Sequence, residues 1–156
     1  MALETGVKAP DFSADTDGSG TVSLKDYSGK WVVLYFYPKD DTSGCTKEAC
    51  SFRDNMERIT GLGAVVLGVS PDKASSHKKF SEKYNLNFIL ASDTDKSICT
   101  KYDIMGEKSM YGKKYLGVIR TTYIINPKGN IAHVFSNVKV EGHTDAVIGK
   151  LQELRG

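Results

Sequence analysis

The chain has 156 residues, 40% of them hydrophobic, with 21 basic against 19 acidic side chains and a net charge of +2. That length and apolar content suit one compact domain, taken as 1–156. The near-balance of charge argues against a nucleic-acid or membrane surface, and the longest apolar run, Trp31–Tyr37, is far short of the roughly 20 residues that span a bilayer.

The opening, Met1-Ala2-Leu3-Glu4-Thr5-Gly6, has neither a basic start nor an apolar stretch, so no secretory signal is expected. The first 30 residues or so are expected to form a hairpin, with short strands around Phe12 and Val22. Trp31–Tyr37, bounded by Gly29-Lys30 and Pro38, reads as a strand buried on both faces, and Ala64–Ser70 reads the same way. Between them, Cys45 to Ile59 is rich in Lys, Glu, Ala, Arg and Met, with Gly61 just beyond. It reads as a helix, completing a β-α-β unit. A helix is expected over Lys73–Tyr84, a strand at Phe88–Leu90, and a short helix over Asp95–Tyr102 capped by Asp93 or Thr94. Thr121–Asn126 and Ile131–Ser136 form a hairpin through Pro127-Lys128-Gly129-Asn130. The chain closes with a helix near Thr144–Leu154, whose Val147, Ile148, Leu151 and Leu154 share a face. A β-α-β half followed by a ββα half gives an α/β, thioredoxin-like order: a central mixed sheet flanked by helices, with an N-terminal hairpin extension. Such a fold does not by itself specify a function.

Three cysteines, Cys45, Cys50 and Cys99, are too few, and odd in number, for a disulfide scaffold. They fit a reducing compartment. The expected location is the cytoplasm, or an organelle if a transit peptide has been removed ahead of residue 1. Cys45 falls where a strand has ended and a helix begins, so free N–H groups and the positive end of the helix dipole favour its thiolate, the reactive form. Gly44 allows an unusual turn just before it, and Thr42 can offer a hydroxyl to the sulfur or to a substrate oxygen. In an intact helix Cys50 would lie about 7.5 Å further along and about 140° around, roughly 8–9 Å between Cα atoms. A disulfide needs less than about 7 Å. The pair can join only if the helix start unwinds, which suggests a redox cycle.

Other readings stand beside this one. Zinc is disfavoured, because the spacing is C-x4-C and His77, His133 and His143 are scattered. A general thiol–disulfide oxidoreductase would prefer C-x-x-C, yet stays open. Residues 15–26, from Asp15 to Asp26, imitate an EF-hand calcium loop. Position 12 is Asp rather than Glu, and Gly6, Pro10 and Gly29 spoil the flanking helices such a loop needs, so a hairpin turn is the favoured reading.

Pro38, Thr42 and Cys45 match Pro-x3-Thr-x2-Cys, and Cys45, Thr46, Glu48 and Cys50 match Cys-Thr-x-Glu-x-Cys. With Leu3-x2-Gly6-x2-Ala9-Pro10-Asp11-Phe12, the stretch from Gly106 to Tyr115, and Arg120 ahead of Thr121–Ile125, the chain resembles the peroxiredoxins. Within them it resembles the bacterioferritin comigratory protein group, also called PrxQ, nearly end to end.

The resemblance implies a thiol peroxidase acting on hydrogen peroxide and organic hydroperoxides. Cys45 would be the peroxidatic cysteine, becoming a sulfenic acid. Arg120 would favour the thiolate and hold the peroxide oxygens. Thr42 would hydrogen-bond the peroxide, Pro38 would shield the sulfur, and Glu48, taken to lie in the first helical turn, would support the local hydrogen bonding. Cys50 would resolve the sulfenic acid as an intramolecular disulfide, with Cys99 the rival but expected to be simply buried. Thioredoxin or glutaredoxin would recycle it, with no metal or organic cofactor, in a monomer or at most a weak dimer. Two departures stand out. Ser43 replaces a common proline, which predicts a looser loop, and Ile119 replaces a common Glu, which removes an acid expected to orient Arg120.

Overall fold

The computed structural model describes residues 2–18 and 20–156. Ser19, the fifth position of the calcium-like loop, and Met1 lie outside the described residues.

A seven-stranded mixed sheet runs β2 (Thr21–Ser23), β1 (Ser13–Thr16), β5 (Ile89–Ser92), β4 (Ala64–Ser70), β3 (Trp31–Phe36), β8 (Thr121–Ile125), β9 (Ile131–Phe135). Its centre is β3 (Trp31–Phe36), paired in parallel with β4 (Ala64–Ser70) and antiparallel with β8 (Thr121–Ile125). From Val32 onward β3 is buried at every position, as expected for a strand covered on both faces. Successive side chains alternate between two cores. Val32, Leu34 and Phe36 join Phe12, Ile98, Cys99, Tyr102, Tyr123 and Ile125 on one face. Val33, Tyr35 and Tyr37 join Cys45, Ala49, Phe52, Phe80, Val147, Ile148 and Leu151 on the other.

The helices α1 (Ser43–Asp54), α2 (Met56–Gly61), α3 (Ala74–Tyr84), α4 (Ser97–Lys101) and α5 (His143–Arg155) fall near their expected places. The helix expected over 45–59 is two segments meeting at Asn55, whose side-chain amide bonds the Ser51 carbonyl. Gly61 is helical, and the chain turns out at Gly63, with φ +75°. The N-cap of α4 is Lys96 rather than Asp93 or Thr94, but Asp93 still serves the helix start, its two oxygens accepting the N–H groups of Ile98 and Cys99. β5 is Ile89–Ser92, and β8 and β9 (Ile131–Phe135) form the expected hairpin, with Asn126 Oδ1 accepting from the N–H groups of Lys128 and Asn130.

The N-terminal hairpin of β1 (Ser13–Thr16) and β2 (Thr21–Ser23) adds to the sheet edge beside β5. Strands, with a single 3-10 turn after them, stand where an EF-hand would need helices, so the calcium-module reading of 15–26 does not hold. A second hairpin, β6 (Met105–Met110) and β7 (Lys113–Val118), was not assigned from the sequence; it stands apart from the main sheet and ends just before Arg120. Its turn residues, Tyr111 and Gly112, both have positive φ, the geometry of a tight two-residue hairpin. Tyr111 at the tip is 98% exposed.

Candidate active site

Helix α1 starts one residue after Thr42, so Cys45 is its third residue and lies in the first turn. Cys45, Glu48, Ala49 and Phe52 recur at i, i+3, i+4 and i+7, and this is the buried stripe of the helix. Cys50 falls off that stripe and is half-buried; all three cysteines are free thiols. The unbroken helix through 45 and 50 keeps the two sulfurs on different faces.

Arg120, directly ahead of β8, reaches across to this stripe. Its Nη2 donates to Cys45 Sγ at 3.0 Å and its Nη1 to Glu48 Oε1 at 3.0 Å. One fork of a single guanidinium thus ties the thiol to a carboxylate one helical turn away. Glu48 is therefore not a first-turn residue. It lies in the second turn, where the i+3 spacing from Cys45 turns it inward, and it is 1% exposed. It also supplies the orienting acid that Ile119 seemed to remove, from 72 positions earlier in the chain.

Gly44 has a different reason from the one its position suggested. Its φ is not positive; the left-handed residue of the loop is Asp41, at φ 57°. A Cβ on Gly44 would instead lie 2.8 Å from Arg120 Nη2. The glycine leaves room for the guanidinium.

The loop from 38 to 42 is tied down despite Ser43. Ser43 takes the first helical position, where proline is merely compatible. The Asp40 N–H donates to Asp72 Oδ2 at 2.8 Å, and Asp41 accepts from Lys83 Nζ at 2.8 Å and Tyr84 Oη at 2.7 Å. Asp40 accepts from Tyr37 Oη at 2.6 Å and Ser76 Oγ at 2.8 Å, and lies 2.7 Å from His77 Nδ1. Asp40, Asp72 and His77 bring ligand atoms within 4.8 Å of one another. Ser70 and the Asp40 N–H already occupy Asp72, so the cluster is a hydrogen-bond network. None of these tethers was foreseen. The Thr42 hydroxyl donates to the Lys39 carbonyl at 3.0 Å, and Pro38 is half-buried after β3.

Electrostatics single out the same place. Burial pushes the Glu48 carboxyl up to about 7, with Arg120 opposing. Lys108 of β6 is held below the usual lysine range by burial and by Arg120, with Cys45 acting the other way, so the second hairpin brings a second cation toward the site. Tyr35, beneath α1, is driven far up by burial and then by Glu48, Cys45 and Asp40. Cys99 lies in the opposite core, its thiol pushed up by burial and by Asp93, a setting for an inert cysteine.

A thiol in the first turn of a helix, held by a guanidinium on a thioredoxin-like sheet, defines the class of thiol peroxidases. The comparisons narrow it. Residues 5–134 match the AhpC/TSA family. The chain is 50% identical over 151 residues to the putative peroxiredoxin bcp of Coxiella burnetii, covering 97% of this chain and 100% of that one. It is 44% identical to peroxiredoxin Bcp of Bacillus subtilis, covering 99% and 98% of the two chains. The chain belongs to the AhpC/TSA family, among its Bcp peroxiredoxins. Among solved structures, the Xanthomonas campestris bacterioferritin comigratory protein, studied for its alkyl peroxide reduction activity, superposes with a TM-score of 0.92 at 37% identity, covering 98% of this chain and 100% of that one. A PrxQ mutant from Xylella fastidiosa gives 0.94 at 34% identity, covering 100% and 99%.

Proposed function

We propose that this thiol-dependent peroxidase cycles through two cysteines of one chain, the atypical two-cysteine arrangement. The Cys45 thiolate attacks the terminal oxygen of a hydroperoxide. An S–O bond forms, the O–O bond breaks, the leaving oxygen takes a proton, and Cys45 becomes a sulfenic acid. Arg120 holds the peroxide oxygens and the thiolate with its donor fork, Thr42 hydrogen-bonds the peroxide as the O–O bond lengthens, and Pro38 shields the sulfur. The start of α1 then unwinds. The Cys50 thiolate attacks the sulfur of the sulfenic acid, the S–O bond breaks, the departing hydroxide takes a proton and leaves as water, and an intramolecular disulfide forms. A thioredoxin- or glutaredoxin-type dithiol reduces it.

The observation that carries this reading is the 3.0 Å contact from Arg120 Nη2 to Cys45 Sγ. Cys50 as resolver is supported by its place on the same helix, half-buried and free, whereas Cys99 is sealed in the opposite core. Hydrogen peroxide and organic hydroperoxides are the substrates, the second supported by the alkyl peroxide activity of the Xanthomonas relative. The unit is a single domain over 1–156, supported by a main sheet with a core on each face, and it acts as a monomer or at most a weak dimer. Free thiols on a helix suit a reducing compartment such as the cytoplasm, and no helix among the described residues is long and apolar enough to cross a membrane.

The test is peroxide consumption coupled to thioredoxin, its reductase and NADPH, for the native chain and Cys45→Ser. Loss in the variant supports the reading. Full activity in Cys45→Ser, or reduction of insulin disulfides by a native chain that consumes no peroxide, points to general disulfide exchange instead.

A further inference from the structure

Arg120 is one cation between two buried acids. Cys45 Sγ and Glu48 Oε1 each lie 3.0 Å from a guanidinium nitrogen, and both residues are 1% exposed. Two anions around one guanidinium would leave net negative charge in a desolvated site, which burial opposes. The second oxygen of Glu48, Oε2, is buried and has no hydrogen-bond partner among the described residues; neither does the Tyr35 hydroxyl. An orphaned oxygen costs more in a charged carboxylate than in a neutral acid.

We propose that Glu48 is a protonation-coupled positioning residue: it competes with Cys45 for Arg120, and the peroxide-reactive state has Glu48 protonated and Cys45 as the thiolate. The inference rests on Cys45 being the peroxide-reducing thiol. In forming that state the Cys45 thiol gives its proton to the Glu48 carboxylate, so no proton leaves the site and nothing is oxidised. The thiolate then donates its electron pair to the peroxide, and the leaving oxygen takes a proton from solvent.

The surroundings favour this exchange over a fixed ion pair. Arg120 faces Glu48 directly, with Cys45 on its other guanidinium nitrogen. Tyr35 of β3 lies beneath it and is kept neutral by burial; Asp40, which adds to that effect, is tied to α3. Lys108 of β6 approaches from the side of Arg120 and Cys45. His143 of α5, packed edge-on against Phe52 of α1, is pushed down to about 4 and carries no charge near neutrality. Burial brings the Glu48 carboxyl to about 7, where small changes in its partners move the proton.

Glu48→Gln keeps an oxygen to accept from Arg120 but cannot ionise. The second-order rate of peroxide with the native chain is expected to fall by up to about tenfold between pH 6 and pH 8, as a carboxyl with its midpoint near 7 goes from about nine-tenths to about one-tenth protonated. The Gln variant is expected to stay flat over that interval. Superimposable profiles, or a native rate that does not fall, overturn the proposal. A second readout needs no folded Gln variant. The carbon-13 carboxyl signal of Glu48 should titrate at lower pH in Cys45→Ser, where Arg120 serves the acid alone, and an unmoved midpoint also overturns the coupling. If Cys45→Ser still consumes peroxide, the reading of Cys45 fails, and the carboxyl signal still reports on the coupling by itself.

Discussion

Asp40 and His77 lock the loop ahead of Cys45 to α3: Oδ2 of the one lies 2.7 Å from Nδ1 of the other, and both side chains are buried. The far nitrogen of His77 lies 3.1 Å from the Ala91 carbonyl, which ties the same ring to β5. Removing His77 takes one partner from the buried Asp40 carboxylate, which keeps Tyr37 and Ser76, at a cost of about 1–3 kcal/mol. His77→Ala is expected to lower the unfolding free energy by about that amount. Asp41→Ala breaks an exposed, solvent-screened pair to Lys83 and is expected to change stability far less. Urea unfolding of both variants checks the contrast; similar small losses would show that the buried lock does not hold the loop.

Arg120 is held by geometry that lysine cannot copy. Two nitrogens of one planar group reach Cys45 and Glu48 at once, in space left by Gly44. Arg120→Lys keeps the charge and loses the fork. The rate of peroxide with Cys45 is expected to drop on the order of a hundred- to a thousandfold, as when one donor to a developing anion is lost. Stopped-flow kinetics at several peroxide concentrations measures it, and a rate within a few-fold of native would mean that the cation alone suffices.

The three cysteines separate by what each variant leaves. Cys50→Ser is expected to consume one equivalent of peroxide and then stop, with the sulfenic acid on Cys45 trapped by a dimedone-type reagent. Cys99→Ala is expected to keep both turnover and the Cys45–Cys50 disulfide, because its thiol is sealed in the other core. Peptide mass spectrometry after a peroxide pulse decides the matter. A disulfide that includes Cys99 would sink the resolver assignment.

Much of this was legible in the sequence where local pattern and local structure coincide. Continuous apolar runs gave β3 and β4, and the Pro-Lys-Gly-Asn turn gave the last hairpin. The motif from Pro38 to Cys50 placed the thiol at a helix start. What escaped depends on contacts between distant segments. Glu48 was visible as a motif residue, but its inward turn toward Arg120 depends on a strand 72 positions away. The purpose of Gly44 is space for that same side chain, which no local rule encodes. His77 sits in an ordinary polar helical stretch, and only folding brings it to Asp40. The β6–β7 hairpin has mostly exposed strands without an apolar alternation, so the period-two signal is absent.

His143 adds a pH dependence of stability that opposes the one from Glu48. Burial pushes the ring down to about 4 from its ordinary 6.5, and its Nε2 meets the Thr122 hydroxyl at 2.8 Å. Between pH 6.5 and 4 the unfolded chain therefore binds more protons than the folded one. Stability from this group is fully present above 6.5 and is lost as pH falls toward 4. The drop from 6.5 to about 4 corresponds to roughly 3 kcal/mol. Glu48 acts with the other sign. Its folded value of about 7 lies above its ordinary 4.5, so it is the folded chain that holds the extra proton, and stability falls as pH rises through that window. Where the windows overlap the two slopes cancel in part; below 4.5 only the histidine still acts. His143→Gln retains a polar group for Thr122 and cannot charge. Its loss of stability between pH 7 and pH 4.5 is expected to be smaller than that of the native chain by roughly 2–3 kcal/mol. Urea midpoints at the two pH values test this, and an unchanged acid loss would mean that the ring accepts its proton without leaving the folded state.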